Sequence, residues 1–142
     1  MKSKTANFKN KNIYIIGGSG LIGSEITKIF CQTDGNIFVL DLKKNKKLTN
    51  YKYKFIKFDC TRLNLIKQNL NLIFKQHGYP THMINASYPR TKDWGKNNFS
   101  EISLSSLKKN IDHHLISFVW ISKTFADIYV KNKIKDASIV LL

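Results

Sequence analysis

The chain has 142 residues, 42% of them hydrophobic, which is enough for one domain with a real core. Its formal net charge is +15, from 24 basic and 9 acidic residues, and all but two of the basic residues are lysines spread along the chain. No helix-turn-helix, zinc-ligand spacing or RNA-binding aromatic motif accompanies that charge, so the sequence disfavours specific nucleic-acid binding.

The sequence also lacks the features of membrane and secreted proteins. No run of about 18 or more apolar residues occurs, so no membrane-spanning segment or membrane partner is predicted. Residues 1–11 form a basic, polar N-terminal extension without the apolar stretch of a secretory signal. Cys31 and Cys60 have no metal-ligand spacing and fit free thiols in a cytoplasmic protein. We therefore expect no metal site.

The first predicted unit is a strand, a tight turn and a helix. An apolar run over residues 13–16 enters a turn in which Gly17, Gly20 and Gly23 have a G-x-x-G-x-x-G spacing. In a dinucleotide-binding turn, the first glycine turns the chain sharply, the second lets a pyrophosphate approach, and the third lets helix and strand pack closely. The candidate cofactor-binding residues of the turn are Gly17, Ser19, Gly20, Leu21, Ile22 and Gly23. An ordinary βα turn is the alternative.

An acidic residue follows at the expected distance. A second apolar run, residues 37–40, ends in Asp41, which lies 18 residues beyond Gly23. A carboxylate at about this spacing accepts hydrogen bonds from the adenosine ribose and would repel a 2′-phosphate, which favours NAD over NADP. Lys43 and Lys44 follow at once and could offset that repulsion. A plain turn residue at the strand end is the alternative role for Asp41.

Strands and helices continue to alternate along the chain. Apolar runs predict three more strands, at residues 53–58, 81–85 and 138–142. Helical spacing predicts one helix from Leu63 and a long one over residues 104–128. This alternation predicts a Rossmann-type α/β fold over residues 12–142: a doubly wound parallel sheet, order 3-2-1-4-5, with helices on both faces.

Two segments between these elements are predicted to be irregular. The polar residues 43–50 form a loop or a single helical turn, and residues 86–100 form a long loop. Because the carboxyl ends of parallel strands meet at one edge, Gly17, Asp41 and the polar residues after strands three and four should lie together there.

Taken together, these motifs resemble the short-chain dehydrogenase/reductase family. The glycine-rich turn resembles the family's nucleotide turn in its extended-type spacing. Phe58-Asp59-Cys60-Thr61 resembles the segment whose acid contacts the adenine, and Ile84-Asn85-Ala86-Ser87 resembles the Asn-Asn-Ala-Gly signature, with Ile84 and Ser87 as departures. The resemblance implies that the cofactor site also includes Asp59, Cys60, Asn85, Ala86 and Ser87.

The stretch over residues 85–96 resembles a more specific subgroup, the oxidoreductases of flagellin glycosylation and legionaminic-acid-type sugar biosynthesis. That resemblance implies a small-molecule substrate, a sugar derivative, and a homo-oligomer when full length. The candidate substrate-binding residues are Tyr88, Arg90 and Trp94. Arg90 could hold a phosphate or carboxylate bidentately and Trp94 could stack on a sugar, with ordinary loop packing as the alternative.

The family's catalytic residues have no counterpart in these 142 residues. The family uses a serine after strand five and a tyrosine whose pKa is lowered by a lysine four residues on. The sequence ends inside predicted strand five, so the chain resembles a truncated N-terminal portion, and we expect no catalytic residue and no turnover from it alone. Tyr53 with Lys57 and Tyr129 with Lys133 have the right spacing in the wrong elements, and we interpret both as coincidental.

Three polar residues of the long helix are weaker candidates. Asp112 falls where the family carries an asparagine of the proton relay, with a solvated helix residue as the alternative. His113 and His114 are adjacent, point about 100° apart and cannot chelate one metal together. The sequence thus predicts an NAD(P)-dependent oxidoreductase acting on a sugar or nucleotide-sugar hydroxyl or carbonyl; the alternative is a non-catalytic NAD(P)-binding module.

Overall fold

The structure is a computed structural model, which describes residues 7–95 and 98–142. Residues 1–6 of the predicted N-terminal extension and Lys96 of the loop motif lie outside the described residues. The strands are β1 (Asn12–Ile16), β2 (Asn36–Asp41), β3 (Lys54–Lys57), β4 (His82–Asn85) and β5 (Ser138–Leu141). The α-helices are α1 (Leu21–Phe30), α2 (Leu63–His77), α3 (Leu104–Ile111) and α4 (Ser117–Lys131), and a short 3₁₀ helix spans Lys46–Leu48.

All five strands form one parallel sheet in the order β3-β2-β1-β4-β5, which confirms the predicted fold class and strand order. Ile16 at the end of β1 pairs with Leu40 of β2 and Asn85 of β4, so three strands end level with one another. The ladder continues one residue further on both sides, since Gly17 donates to the Leu40 carbonyl and Ala86 to that of Ile16. The segments after β1, β2 and β4 therefore leave the sheet side by side.

Apolar residues cover both faces of the sheet. Tyr14 packs with Phe74 of α2 and Phe125 of α4 on one face. On the other face, Ile15 packs in the cluster that Ile26 of α1 covers. Strands buried on both faces need continuous apolar runs rather than alternation, which is why β1 and β2 are recognisable as such runs in the sequence.

The predicted long helix is interrupted. A π-helical turn, Asp112–Ile116, separates α3 from α4. The Ser117 N–H donates to the carbonyls of Asp112 and His114. In a regular α-helix this N–H would donate to the His113 carbonyl, which here accepts a hydrogen bond from the Ser117 hydroxyl instead. A serine hydroxyl that bonds to the i−4 carbonyl competes with the backbone ladder of a helix. Apolar spacing alone does not reveal it.

One edge of the sheet is partly exposed. β5 is the strand at this edge, and its Val140 and Leu141 are 44% and 50% exposed.

Over the part of the chain that the structure describes, no helix has both the length and the apolarity needed to cross a membrane. The site-bearing edge, at the carboxyl ends of the strands, is formed by the turn after β1 and the loops after β2, β3 and β4.

Candidate functional site

A cleft of about 410 Å³ opens at the carboxyl edge of the sheet. It is bounded by the glycine-rich turn, the ends of β2 and β3, and the loop after β4. Most predicted site residues line it, namely Gly17, Gly20, Leu21, Ile22, Asp41, Asp59, Cys60, Ala86, Ser87, Tyr88 and Arg90. The predicted residues Ser19, Gly23, Asn85 and Trp94 are not part of its lining.

The glycine-rich turn is held by two close backbone contacts. Gly17 has φ +72°, and a Cβ there would lie 2.5 Å from the Cα of Ser87. A Cβ on Gly23 would lie 2.1 Å from the Gly17 carbonyl oxygen. A side chain at Gly17 would therefore push the loop after β4 away from the turn, and a side chain at Gly23 would push α1 away from it. Gly23 supports the cleft by packing behind it rather than by lining it.

Helix α1 presents its N-terminus to the cleft without a side-chain cap. Its N-cap residue is Gly20, and no acidic residue stands in the first turn. The first N–H groups of a helix have no partner inside it, and the helix dipole adds positive potential there. The buried Ser19 hydroxyl oxygen has no hydrogen-bond partner among the described residues. These donors fit the diphosphate of a dinucleotide.

Asp41 is oriented towards the turn by backbone donors. Its Oδ2 accepts a hydrogen bond from the Ser19 N–H at 2.9 Å, and its Oδ1 accepts one from the Leu42 N–H at 2.7 Å. A carboxylate has about four acceptor sites, so capacity remains for ligand hydroxyls. The arrangement can hold a ribose diol beside the glycine-rich turn.

The segment after β3 contributes an acid and a thiol to the cleft. Asp59 Oδ1 accepts hydrogen bonds from both the N–H and the hydroxyl of Thr61, which fixes its side chain in an Asx-type turn. Burial raises the pKa of the Cys60 thiol from 9.0 to about 11, although a hydrogen bond with Ser87 acts in the opposite direction. Cys60 is therefore a neutral lining residue near neutral pH.

The segment after β4 turns on Asn85, which is fully buried. Its Oδ1 accepts hydrogen bonds from the N–H and the hydroxyl of Ser87, at 3.1 and 2.7 Å. Its Nδ2 has no partner among the described residues. Asn85 thus shapes the floor of the cleft from behind, while Ala86 and Ser87 reach the lining.

The loop beyond Ser87 carries an aromatic group at the cleft rim. The Arg90 guanidinium lies 5.0 Å from the centre of the Tyr88 ring, and the His114 ring lies 4.5 Å from it. Trp94 packs against Tyr88 and His114. Burial, with smaller effects of His113 and Arg90, lowers the pKa of His114. Tyr88 and Arg90 line the cleft, whereas Trp94 lies beyond them.

The tyrosines of the two Tyr-x-x-x-Lys pairs lie away from the cleft. Tyr129 is in the core, donates to the Ser138 carbonyl at 3.2 Å, and has its pKa raised by burial. Tyr53 precedes β3 and so lies at the opposite, amino-terminal end of that strand. Asp112 is exposed at the start of the π turn, and His114, rather than Asp112, reaches Tyr88.

Several residues around the cleft were not predicted from the sequence to belong to the site. Thr61 lines it, His114 packs on its aromatic rim, and Asn110 anchors the loop behind it. Asn45 hydrogen bonds to Ser19 of the turn. The Asp-x-Thr spacing was a usable signal for Thr61. The other three are polar residues of predicted helices or loops, whose partners lie far away in the sequence.

Comparison with known proteins agrees with this geometry. The fold is that of short-chain dehydrogenases, and the resemblance predicted from the sequence is confirmed. The structure superposes on a short-chain dehydrogenase from Leptospira borgpetersenii with bound NAD⁺, with a TM-score of 0.80, 20% identity, and coverage of 99% of this chain and 54% of that chain. It superposes on a 4-hydroxyisoleucine dehydrogenase complexed with NADH with a TM-score of 0.75, 26% identity, and coverage of 93% and 55%.

A curated relative extends the similarity to the sequence level. The post-translational flagellin modification protein A of Campylobacter coli is 26% identical over 132 residues, which cover 87% of this chain and 52% of that protein. The chain thus spans about half the length of the relatives that it matches. Models of known protein families give no match to it.

Proposed function

We propose that this chain is the cofactor-binding portion of an NAD-dependent oxidoreductase that acts on a hydroxyl or carbonyl group of a sugar or nucleotide-sugar. The observation that carries the proposal is the pairing of Asp41 with the Ser19 N–H at the uncapped N-terminus of α1. It joins a diol-binding carboxylate to an anion-binding turn within one cleft, which is the combination a dinucleotide requires.

Each part of the cofactor has matching groups in the cleft. The turn from Gly17 to Ile22 would hold the diphosphate, and Asp41 would hold the adenosine ribose. The loops bearing Asp59 and Ser87 would hold the two ring systems, as in the family that the sequence resembles. When bound, the nicotinamide supplies hydride transfer, and the protein's task is to bind, orient and exclude water.

NAD is the proposed cofactor rather than NADP. A 2′-phosphate would approach the Asp41 carboxylate, whose orientation two backbone N–H groups already fix. Lys43 and Lys44 follow Asp41 but are exposed, and charges in solvent offset a neighbouring carboxylate only weakly. The dehydrogenases bound to NAD⁺ and NADH that share this fold support the same choice.

The proposed substrate site is the rim formed by Tyr88, Arg90 and Trp94. Tyr88 is 58% exposed and Trp94 is 40% exposed, so both rings are accessible for stacking on a sugar. The Arg90 guanidinium could pair with a phosphate or carboxylate of the substrate. The sugar substrate is proposed from the resemblance of residues 85–96 to the oxidoreductases of flagellin glycosylation, and the similarity to a post-translational flagellin modification protein supports that resemblance.

We further propose that these 142 residues do not turn over substrate alone. Among the described residues that line the cleft there is no lysine, so no Tyr-x-x-x-Lys pair faces it. The proton transfer that general acid–base catalysis accelerates by roughly 10²–10⁴-fold would therefore lack its group. A screen of sugars and sugar phosphates with NAD, followed by absorbance, should show no NADH formation.

Calorimetric titration with NAD and NADP tests the cofactor proposal. The wild type should bind NAD more tightly than NADP, and Asp41→Ala should weaken NAD binding by about tenfold or more, because hydrogen bonds to a charged group are lost. Asp127→Ala is the matched control, since Asp127 is a carboxylate on the surface of α4, away from the cleft, and pairs with its helix neighbour Lys123. Equal affinity for NADP in the wild type would remove the role of Asp41.

A non-catalytic NAD(P)-binding module is the second candidate. It is favoured by a cleft that combines the nucleotide-binding groups without an acid–base pair among its described lining residues. The coding DNA beyond Leu142 distinguishes the two candidates. A continued or frameshifted reading frame that encodes a serine and a Tyr-x-x-x-Lys supports the oxidoreductase, and a stop followed by unrelated sequence supports the module.

A further inference from the structure

Asn45 joins the loop after β2 to the glycine-rich turn, 26 residues earlier in the chain. Its Nδ2 donates a hydrogen bond to the Ser19 carbonyl at 2.9 Å. Its Oδ1 accepts one from the Lys47 N–H at 2.9 Å and so caps the 3₁₀ helix. The side chain therefore holds two segments together with both ends of its amide.

Ser19 contacts both Asn45 and Asp41. The Ser19 N–H donates to Asp41 Oδ2, while the Ser19 carbonyl accepts from Asn45. The next N–H along the chain, that of Gly20, donates to the Gly17 carbonyl at 3.0 Å. Ser19 is thus fixed on both sides, immediately before the first turn of α1.

The segment that carries Asn45 is anchored by a buried side chain. Leu48, three residues after Asn45, is fully buried and ties the 3₁₀ helix to the domain. A hydrogen bond from an anchored loop restricts the rotation of the Ser19–Gly20 peptide more than one from a mobile side chain would. Such restriction before binding reduces the ordering that a ligand must otherwise impose.

We propose that Asn45 is a positioning residue for the dinucleotide: through Ser19 it fixes the Asp41 carboxylate where it meets the 2′-hydroxyl of NAD. Asn45 is absent from the cleft lining, so its effect passes through the turn rather than through direct contact. The inference rests on the proposed function, because it assumes that this cleft binds NAD. A capping role alone, confined to the 3₁₀ helix, is the competing account.

Two substitutions separate these accounts. Asn45→Ser keeps a good helix-capping oxygen but removes the amide Nδ2 that reaches the Ser19 carbonyl, because the single, shorter hydroxyl group cannot occupy both positions of the amide, whereas Asn45→Ala removes both contacts. We expect both variants to bind NAD about 5- to 10-fold more weakly by calorimetry, with a smaller change for NADP. The thermal midpoint should fall by about 3–5 °C in Asn45→Ala only. Asn50→Ala, an exposed asparagine in the same loop, is the control.

Amide hydrogen exchange of the free protein gives a readout that needs no cofactor. The Ser19 amide should exchange faster in Asn45→Ser than in the wild type, and the Asn50→Ala control should match the wild type. Wild-type NAD affinity in Asn45→Ser overturns the inference and leaves the proposed function standing. A wild-type chain that binds neither dinucleotide overturns the proposed function, and this inference with it.

Discussion

The buried amide of Asn110 on α3 holds the backbone and side chain of Thr91 in the loop after β4. Its Oδ1 accepts hydrogen bonds from the Thr91 N–H at 3.4 Å and hydroxyl at 3.1 Å, and its Nδ2 donates to the Ser106 carbonyl at 2.9 Å. Asn110 is only 3% exposed. The loop that carries Tyr88, Arg90 and Trp94 is therefore tied to a helix at its midpoint.

Replacing Asn110 should loosen this loop. Asn110→Ala removes the buried acceptor that the Thr91 N–H and hydroxyl share, and we expect a loss of about 1–3 kcal/mol in the free energy of unfolding. The Thr91 amide should also exchange faster, measured by hydrogen exchange alongside urea unfolding. Asn71→Ala, at an exposed position on α2, should change stability by less than about 0.5 kcal/mol. Unchanged exchange at Thr91 in Asn110→Ala would contradict the anchoring role.

Gly23→Ala should damage the turn although alanine favours helices. The added Cβ would lie 2.1 Å from the Gly17 carbonyl oxygen, so the turn and α1 must separate. We expect a loss of about 1–3 kcal/mol, larger than the gain of about 1 kcal/mol from helix propensity. Gly95→Ala is the control, because nothing lies within 4 Å of a Cβ there. Equal urea midpoints for the two variants would show that the close packing is unimportant.

The cysteines provide an internal test of where NAD binds. Cys60 lines the cleft, whereas Cys31 lies beyond the end of α1, at the other end of the domain. Bound NAD should slow alkylation of Cys60 by iodoacetamide and leave Cys31 unaffected, as measured by mass spectrometry of the peptides. Equal protection of both thiols, or of neither, would argue against the proposed cofactor position.

The pH dependence of Cys60 alkylation follows from its burial. Only the thiolate reacts, and burial raises the pKa of Cys60 to about 11. The rate should therefore rise roughly tenfold per pH unit past 9.0 and level off only near pH 11. A plateau at about pH 9 would mean that the thiol is solvated like a free cysteine.

Tyr129→Phe should leave NAD affinity within about twofold of the wild type, because Tyr129 is a core residue away from the cleft. The loss of its hydrogen bond to Ser138 should cost about 0.5–1.5 kcal/mol of stability. A large loss of NAD binding in this variant, with stability retained, would place Tyr129 in the site after all.

Tyr129 also makes stability depend on alkaline pH. Burial raises its pKa above the ordinary value of 10.0, so above that pH the unfolded chain ionises while the folded chain keeps the phenol protonated. The stabilisation from this group is complete below pH 10.0 and is lost as pH rises towards the raised folded pKa. The free energy of unfolding, measured by urea titration, should accordingly decline less steeply above pH 10.0 in Tyr129→Phe than in the wild type.

The sequence alone determined the sheet and the glycine-rich turn, because both depend on local properties. Buried parallel strands require continuous apolar runs, and the positive φ of Gly17 and the close approach at Gly23 require glycine at fixed spacings. Once the strands are parallel and in the order β3-β2-β1-β4-β5, Asp41 and Ser87 must meet at one edge. The residues of the cleft could therefore be named from their places at strand ends.

Only the tertiary structure decided which polar side chains support that cleft. Asn45 bonds to Ser19 across 26 residues, and Thr91 bonds to Asn110 across 19. A hydrogen bond depends on the distance and direction of two groups, and neither quantity is encoded in the spacing of apolar residues. The π turn that carries His114, whose ring packs on Tyr88, is of the same kind, since it is defined by which carbonyls the Ser117 N–H and hydroxyl bond to.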